Sequence, residues 1–201
     1  MDVTAERVRK LRDATGAGIM DCKRALAETR GEFEKAIVWL RERGIAKAAK
    51  RADRDAREGA VASYIHMGGK VGVLVEVNCE TDFVARNARF QELCKDICLQ
   101  VCSAAPKWIR REDVPAELVE AERHIYKRQA AELGKPAPMC EKIAEGRLNK
   151  WFQEVCLLEQ PFIKDSARTM EEVIKEFSGT VGEKIEVRRF SRFERGEALE
   201  S

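Results

Sequence analysis

VASYIHMGGKVGVLVEV, residues 61–77, contains the clearest structural signal in the chain, because its side chains alternate with a period of two. β-Branched residues recur through both halves, and Gly68-Gly69 separates them. Side chains of a strand point alternately to opposite faces, and a Gly-Gly pair suits a tight hairpin turn. The sequence therefore predicts an antiparallel hairpin with a two-residue turn. The residues paired beside this turn would be Met67 with Lys70 and His66 with Val71.

Upstream of the hairpin, residues 1–45 carry apolar residues at helical spacing in three short segments. Each segment ends before a glycine, the residue found most often just past the end of a helix. Three short amphipathic helices can bury their apolar stripes only against one another, so we predict a three-helix module over 1–45. The charged, alanine-rich segment 46–58 is expected to be an exposed helix or linker and to contain the domain boundary. The glycines expected to end the helices are Gly16, Gly31 and Gly44.

Downstream of the hairpin, a helix is expected from residues 81–82 to about residue 103, because Thr81 or Asp82 can cap its start. A second alternating run over 184–193 predicts a third strand that joins the hairpin. The fold class is therefore α+β, with the helical module followed by a core domain over 59–201 of about three antiparallel strands packed with helices. Other helices are expected over about 115–134, 139–146, 147–155 and 169–177, and the last of these is expected to end at Gly179.

The composition of the 201-residue chain favours protein partners over nucleic acid. It has 37 basic and 35 acidic residues and a net charge of only +2, whereas a nucleic-acid-binding domain usually has a clear basic excess. The first 15 residues are charged, and no apolar run reaches the roughly 18 residues of a membrane span. We therefore expect a cytoplasmic protein that binds neither nucleic acid nor a membrane.

Cysteine provides the first candidate chemistry. Cys94, Cys98 and Cys102 share one face of a predicted helix, which suggests either a metal site or core packing. A structural zinc site usually has four ligands and no histidine lies nearby, so core packing is favoured and no metal is expected. The predicted hairpin register places Cys79 far from His66, which argues against a cysteine–histidine nucleophile.

Two further segments invite ligand hypotheses. The loop Gly16-Ala17-Gly18 has no strand before it and no Gly-Lys-Ser/Thr after it, so it is interpreted as an interhelical turn and not as a phosphate loop. The segment 47–57 is basic but interleaved with acidic residues, so a solvated linker face is favoured over a contact for RNA. We expect no cofactor.

The segment TDFVARN, residues 81–87, places Phe83 in the first turn of a helix directly after a strand. Aromatic residues in a first turn often fold back into the core, and the residues alone favour that interpretation. The alternative is an exposed apolar wedge beside the carboxylate of Asp82, which would suit an energetic hot spot between two proteins.

Two long motifs resemble the elongation factor Ts family. The first is NCETDFVARN, residues 78–87, which follows the valine hairpin. The second is TGAG, residues 15–18, followed by MDCK, residues 20–23, with Leu11-Arg12 before it and Ala25-Leu26 after it. The last strand, with Arg189-Phe190 and Arg192-Phe193, is also similar to the family. These motifs lie in the family's order from the first helix to the last strand.

The resemblance implies an exchange factor that binds elongation factor Tu in its GDP-loaded and nucleotide-free forms. Such a factor disturbs the Mg²⁺ and phosphate site of the GTPase and promotes GDP release, so that GTP can load. It changes no covalent bond, so the resemblance implies that the chain is not an enzyme. Longer family members have a duplicated core and an inserted coiled coil. This chain resembles the short form, in which a second copy stands in for the missing half, so a homodimer through the core domain is expected.

The resemblance also implies which residues contact the partner. The N-terminal helices would be a ubiquitin-associated-type module that leans on the GTPase domain. Asp82 and Phe83 would push between helices near the Mg²⁺ site. The implied exchange wedge comprises Thr81, Asp82, Phe83, Val84, Arg86 and Asn87. The implied contacts of the N-terminal module are Arg12, Thr15, Gly16, Ala17, Gly18, Met20, Asp21 and Lys23.

Overall fold

The structure is a computed structural model, and it describes residues 3–66 and 68–198. Its elements confirm the mixed α+β class. Short 3-10 helices lie at Arg111–Asp113 and Leu157–Glu159. The helices are α1 (Ala5–Thr15), α2 (Ile19–Glu28), α3 (Phe33–Ala49), α4 (Asp82–Ala85), α5 (Ala88–Ala104), α6 (Ala116–Glu132), α7 (Ala137–Val155) and α8 (Met170–Val181). The strands are β1 (Glu58–Ile65), β2 (Val71–Cys79), β3 (Pro161–Phe162), β4 (Asp165–Thr169) and β5 (Glu186–Glu194).

Contacts group the chain into two compact units, the first formed within 1–62, 75–96 and 171–190 and the second within 63–74, 97–170 and 191–201. The domain boundary expected at 46–58 stays a prediction. In the first unit, helices α1, α2 and α3 form the predicted N-terminal bundle. Their shared core includes Leu11, Cys22, Leu26 and Ala36, each fully buried.

The end of α3 differs from the prediction. The helix passes through Gly44 and continues to Ala49, and it therefore takes up the first residues of the expected linker. Gly44 is buried because the α3 backbone lies against Gly179 of α8, where a Cβ on Gly179 would come within 2.3 Å of the Gly44 Cα. Helix α8 likewise continues past Gly179 and ends at Val181. Both glycines serve a close helix crossing and do not mark helix ends.

The main sheet has the strand order β1-β2-β5, so the third strand joins the hairpin as predicted. The His66 N–H donates to the Val71 carbonyl at 2.9 Å, which confirms their pairing. The two-residue turn is wrong, because β1 ends at Ile65 and β2 begins only at Val71. The Gly69 N–H closes the connection on the His66 carbonyl, and the expected pairing of Met67 lies outside the described residues.

The remaining helices differ from the prediction in their continuity. The helix expected over 81–103 is divided into α4 and α5 at residues 86–87, and α7 is one helix where two were expected. In the second unit, α7 packs against α6 around Leu148 and Phe152, which stabilises it across its glycine at position 146. The antiparallel β3–β4 ribbon was not predicted, because its strands are too short to show a period.

Candidate protein-docking site

Phe83 lies on the surface, with 81% of its area exposed. The interpretation of this first-turn aromatic as a core residue is therefore wrong. Ala85 occupies the buried side of the same short helix, α4, at 9% exposure. Residues two apart in an α-helix point to nearly opposite sides, so the burial of Ala85 turns Phe83 towards solvent.

The start of α4 is capped by Thr81, as predicted. Thr81 has an extended backbone, and its Oγ1 accepts a hydrogen bond from the Val84 N–H at 3.4 Å. Asp82 is the first residue of the helix, and its carboxylate lies 2.9 Å from the guanidinium of Arg86, one turn further on. Both side chains of this ion pair are substantially exposed, so the carboxylate beside Phe83 is available to a second protein.

The segment before α4 is held by a residue that the sequence did not single out. The carboxylate of Glu183 accepts hydrogen bonds from the backbone N–H groups of Glu80 and Thr81 at 3.1 and 3.0 Å. It also accepts the Thr81 hydroxyl at 2.6 Å. Glu183 is about 100 residues away along the chain, so no local pattern could have revealed it.

The junction of α4 and α5 connects the wedge to the N-terminal helices. The Asn87 side chain accepts a hydrogen bond from the Arg89 N–H at 2.9 Å, which orders the first turn of α5. The guanidinium of Arg89 donates to the carbonyl of Asp13 near the end of α1 at 3.0 Å. Arg89 was not predicted as a site residue, and it joins the two segments that the resemblance assigned to partner contact.

The loop between α1 and α2 needs a glycine at its first position. Gly16 caps α1 with φ +72°, and its N–H donates to the Arg12 carbonyl at 2.6 Å. A Cβ there would also collide with the guanidinium of Arg89, only 1.5 Å away. Thr15 donates its hydroxyl to the Leu11 carbonyl and accepts the Ala17 N–H, so the loop is fixed at both ends.

The start of α2 exposes apolar side chains. Gly18 is the N-cap of this helix, and it provides no side chain to cap it. Met20 is 68% exposed and Ile19 is 54% exposed. Asp21 pairs with Lys47 of α3 at 2.9 Å, so its carboxylate is partly neutralised. An exposed methionine next to another large apolar side chain is typical of a surface that binds another protein.

A groove of about 1100 Å³ brings members of both predicted contact sets together. Among the described residues that line it, the charged side chains are mostly cations, and Asp13 is the one acid. Thr15, Ala17 and Asp21 instead line a small cleft next to α3 and α8. The predicted contact residues in the wall of the groove are Arg12, Gly16, Lys23 and Asn87, and its other cations are Arg9 and Arg89.

The cysteine face of α5 is core, as the residues favoured. Cys94 and Cys98 are fully buried, and burial raises the pKa of the Cys98 thiol to about 11. Burial, followed by the charge of Glu183, raises the pKa of Cys79 to about 11 as well. These thiols stay protonated near neutral pH, so they are poor nucleophiles and poor metal ligands. Within residues 3–66 and 68–198, no three histidine, cysteine or acidic side chains are grouped as metal ligands would be.

The basic segment 47–57 is largely engaged within the protein. Lys47 pairs with Asp21, and Arg54 pairs with Glu80 at 3.2 Å. Arg51 donates to the Ser178 carbonyl at the crossing of α3 and α8. These contacts give the segment a structural role where a solvated face was expected, and the absence of nucleic-acid binding stays a prediction. None of the helices in the described parts of the chain combines the length and apolarity needed to cross a bilayer.

The fold and the site define a mixed α+β protein with a helical N-terminal module and an exposed aromatic side chain on a braced turn. Comparison with known proteins identifies the family. The family described as Elongation factor TS matches residues 31–197. Elongation factor Ts of Geobacter sulfurreducens is 55% identical over 200 residues, covering 100% of this chain and 93% of that protein. Elongation factor Ts of Desulforamulus reducens is 56% identical over 199 residues, covering 99% of this chain and 92% of that protein.

The chain therefore belongs to the elongation factor Ts family, which confirms the resemblance found in its motifs. It is a translation elongation factor, and its role lies in protein biosynthesis.

Proposed function

We propose that this protein is the guanine-nucleotide exchange factor for elongation factor Tu. It binds the GDP-loaded GTPase, disturbs the Mg²⁺ and phosphate site and releases GDP, so that GTP can load. Membership of the elongation factor Ts family implies this partner and this class of activity. The observation that supports it most is the 81% exposure of Phe83 on a capped, braced turn. A large apolar side chain that is held outward on a braced turn suits an energetic hot spot between two proteins.

The mechanism acts through the wedge, Thr81, Asp82, Phe83, Val84, Arg86 and Asn87. Phe83 gains free energy when it is buried between elements of the partner. Asp82 brings a carboxylate close to a site that depends on Mg²⁺ and its ligands. Because the factor binds the nucleotide-free partner more tightly than the loaded one, it weakens nucleotide binding by the same factor. Each ~1.4 kcal/mol of that difference changes the nucleotide affinity tenfold.

The N-terminal module forms the second part of the docking surface. The groove next to α1 presents the cations Arg12 and Lys23, and Met20 exposes an apolar side chain close by in sequence. A groove whose charged side chains are mainly cations fits an acidic surface of the GTPase and would increase the rate of encounter. This contact holds the factor on its partner while the wedge acts on the nucleotide site.

A second copy of the chain is the other partner that we propose. In the second unit, the sheet exposes Ile65, Leu74 and Phe193 at 66%, 50% and 71%. Leu74 alternates with the buried Val73 and Val75, so it belongs to the outer face of β2. A sheet face with large exposed apolar side chains needs a cover, and an identical face on a second chain provides one.

The protein makes and breaks no covalent bond in this proposal, so it is not an enzyme and uses no cofactor. We also propose that it works in the cytoplasm, where translation elongation takes place.

The test is the release of a fluorescent GDP from purified elongation factor Tu, chased with excess unlabelled GDP and followed by stopped flow. The release rate should rise with the concentration of this protein and saturate. Release that stays at its spontaneous rate, with protein of confirmed fold in excess, would refute the exchange function.

A further inference from the structure

Glu183 lies in the connection between α8 and β5, in contact with the segment that leads into the wedge. Its carboxylate accepts three hydrogen bonds, from the N–H groups of Glu80 and Thr81 and from the Thr81 hydroxyl, at 3.1, 3.0 and 2.6 Å. Its own carbonyl accepts a hydrogen bond from the hydroxyl of the buried Ser178 in α8. Glu183 is thus fixed at both its backbone and its side chain.

The contact is reciprocal. The carboxylate of Glu80 accepts a hydrogen bond from the Lys184 N–H at 2.6 Å, and it also pairs with Arg54. Each of the two segments, 80–81 and 183–184, therefore uses its glutamate to bind backbone N–H groups of the other. Hydrogen bonds to an ionised acceptor are stronger than neutral ones, so this pair of carboxylates holds the two segments together firmly.

Thr81 transmits this restraint to the wedge. A hydroxyl has one proton to donate, and Thr81 gives it to Glu183. The lone pairs of its Oγ1 then face the Val84 N–H, and the resulting hydrogen bond from Val84 N to Thr81 Oγ1, at 3.4 Å, caps α4. The carboxylate of Glu183 therefore selects the hydroxyl orientation that caps the helix carrying Phe83.

We infer that Glu183 is the positioning residue of the exchange wedge: it touches neither the partner nor the nucleotide, and it holds α4 so that Phe83 projects outward. This inference rests on the exchange function proposed above. It predicts that loss of the carboxylate lowers the maximal rate of nucleotide release more than it weakens binding to the GTPase. A substitution that weakens binding raises the half-saturating concentration, whereas one that impairs the release step lowers the maximal rate.

The first experiment measures GDP release from elongation factor Tu with Glu183→Ala and Glu183→Gln. We expect Glu183→Ala to lower the saturating release rate about tenfold or more, because it removes charge-assisted hydrogen bonds that hold the turn. The half-saturating concentration should change by about twofold at most. Glu183→Gln keeps an acceptor oxygen and should retain an intermediate rate. The matched control is Glu117→Ala on the exposed first turn of α6, because the Glu117 side chain makes no hydrogen bond or ion pair within residues 3–66 and 68–198. This control should release GDP at the wild-type rate.

A double-mutant cycle separates positioning from a general loss of stability. If Glu183 acts through Phe83, then Glu183→Ala should cost little further activity when Phe83→Ala is already present. If the two substitutions lower the release rate by independent factors that multiply in the double variant, the inference is overturned. A wild-type release rate in Glu183→Ala would also overturn it.

Amide hydrogen exchange on the protein alone tests the same inference without the GTPase. The amides of Thr81 and Val84 should exchange faster in Glu183→Ala than in the wild type, while those of α1 are unchanged. Unchanged exchange at both amides would overturn the positioning role. If the wild type itself fails to accelerate GDP release, the proposed function fails. The amide hydrogen-exchange experiment then still decides whether Glu183 orders the turn.

Discussion

Phe83 and the side chains around it show how a few residues build the candidate site. Phe83 is exposed because Ala85 occupies the buried side of α4, and the turn is held by Thr81 and Glu183. The sequence predicted the cap, which depends on neighbours three residues apart. It could not predict the exposure of Phe83, because a helix of four residues is too short to show a buried face. It could not predict Glu183 either, since that contact spans the chain.

The buried thiols give a prediction about pH. Burial raises the pKa of Cys98 to about 11 and, together with the charge of Glu159, that of Cys156 to about 12. In the unfolded chain these thiols lose their protons near pH 9 and in the folded protein they keep them. The free energy of unfolding should therefore fall as the pH rises from about 9 to about 11, by at most ~1.4 kcal/mol per pH unit for each thiol.

Urea denaturation at pH 8 and at pH 10.5 measures this effect, with Cys98→Ala as the comparison. The variant removes one titrating thiol, so its stability should fall less steeply over this range than that of the wild type. Equal slopes for the two proteins would contradict the assignment of a raised pKa to Cys98.

At the scale of elements, the sequence predicted which segments are helix or strand better than where they end. Periodicity was sufficient for α1, α2 and the three strands of the main sheet. Glycine was misleading at Gly44 and Gly179, where it was expected to end helices. A glycine that ends a helix and a glycine that admits another helix look the same in one sequence, because the second role depends on a partner distant along the chain.

Alanine substitutions at two helical glycines should have opposite effects on stability, because Gly179 lies at the crossing of α3 and α8 and Gly146 lies in an open part of α7. Gly179→Ala would place a Cβ 2.3 Å from the Gly44 Cα, so the backbones must separate. We expect it to lower the free energy of unfolding by about 1–3 kcal/mol, as overpacking does. Gly146→Ala in α7 meets nothing within 4 Å and should raise it by about 0.5–1 kcal/mol. Urea denaturation of both variants is the measurement, and destabilisation of the two by similar amounts would refute this explanation.

At the scale of the whole molecule, the groove beside α1 brings together residues from the two proposed contact sets. The groove joins Arg12, Gly16 and Lys23 to Asn87, so parts of the two contact sets implied by the resemblance share one surface. The sequence could name these residues only through the resemblance, because composition and period do not indicate which exposed residues meet a partner. Arg89, which brings the two sets together, lies just beyond the motif.

The proposed dimer gives a prediction about mass. Phe193→Glu places a charge on an outer sheet face that we propose is covered by a second copy, where an unpaired charge is costly to bury. Light scattering coupled to size-exclusion chromatography should find twice the 22.8 kDa chain mass for the wild type and a monomer for the variant. Leu133→Glu, at a residue that is 68% exposed after α6, should leave the dimer intact. A monomeric wild type would contradict the proposal.

The role of Phe83 as the wedge is tested by comparing Phe83→Ala with the wild type and with Leu133→Ala in GDP release from elongation factor Tu. Phe83 and Leu133 are 81% and 68% exposed, so neither substitution should change the thermal midpoint by more than about 2 °C. We expect Phe83→Ala to lose at least about tenfold in release rate, consistent with a hot spot of more than ~1.4 kcal/mol, and Leu133→Ala to match the wild type. A folded Phe83→Ala variant that releases GDP at the wild-type rate would contradict the account.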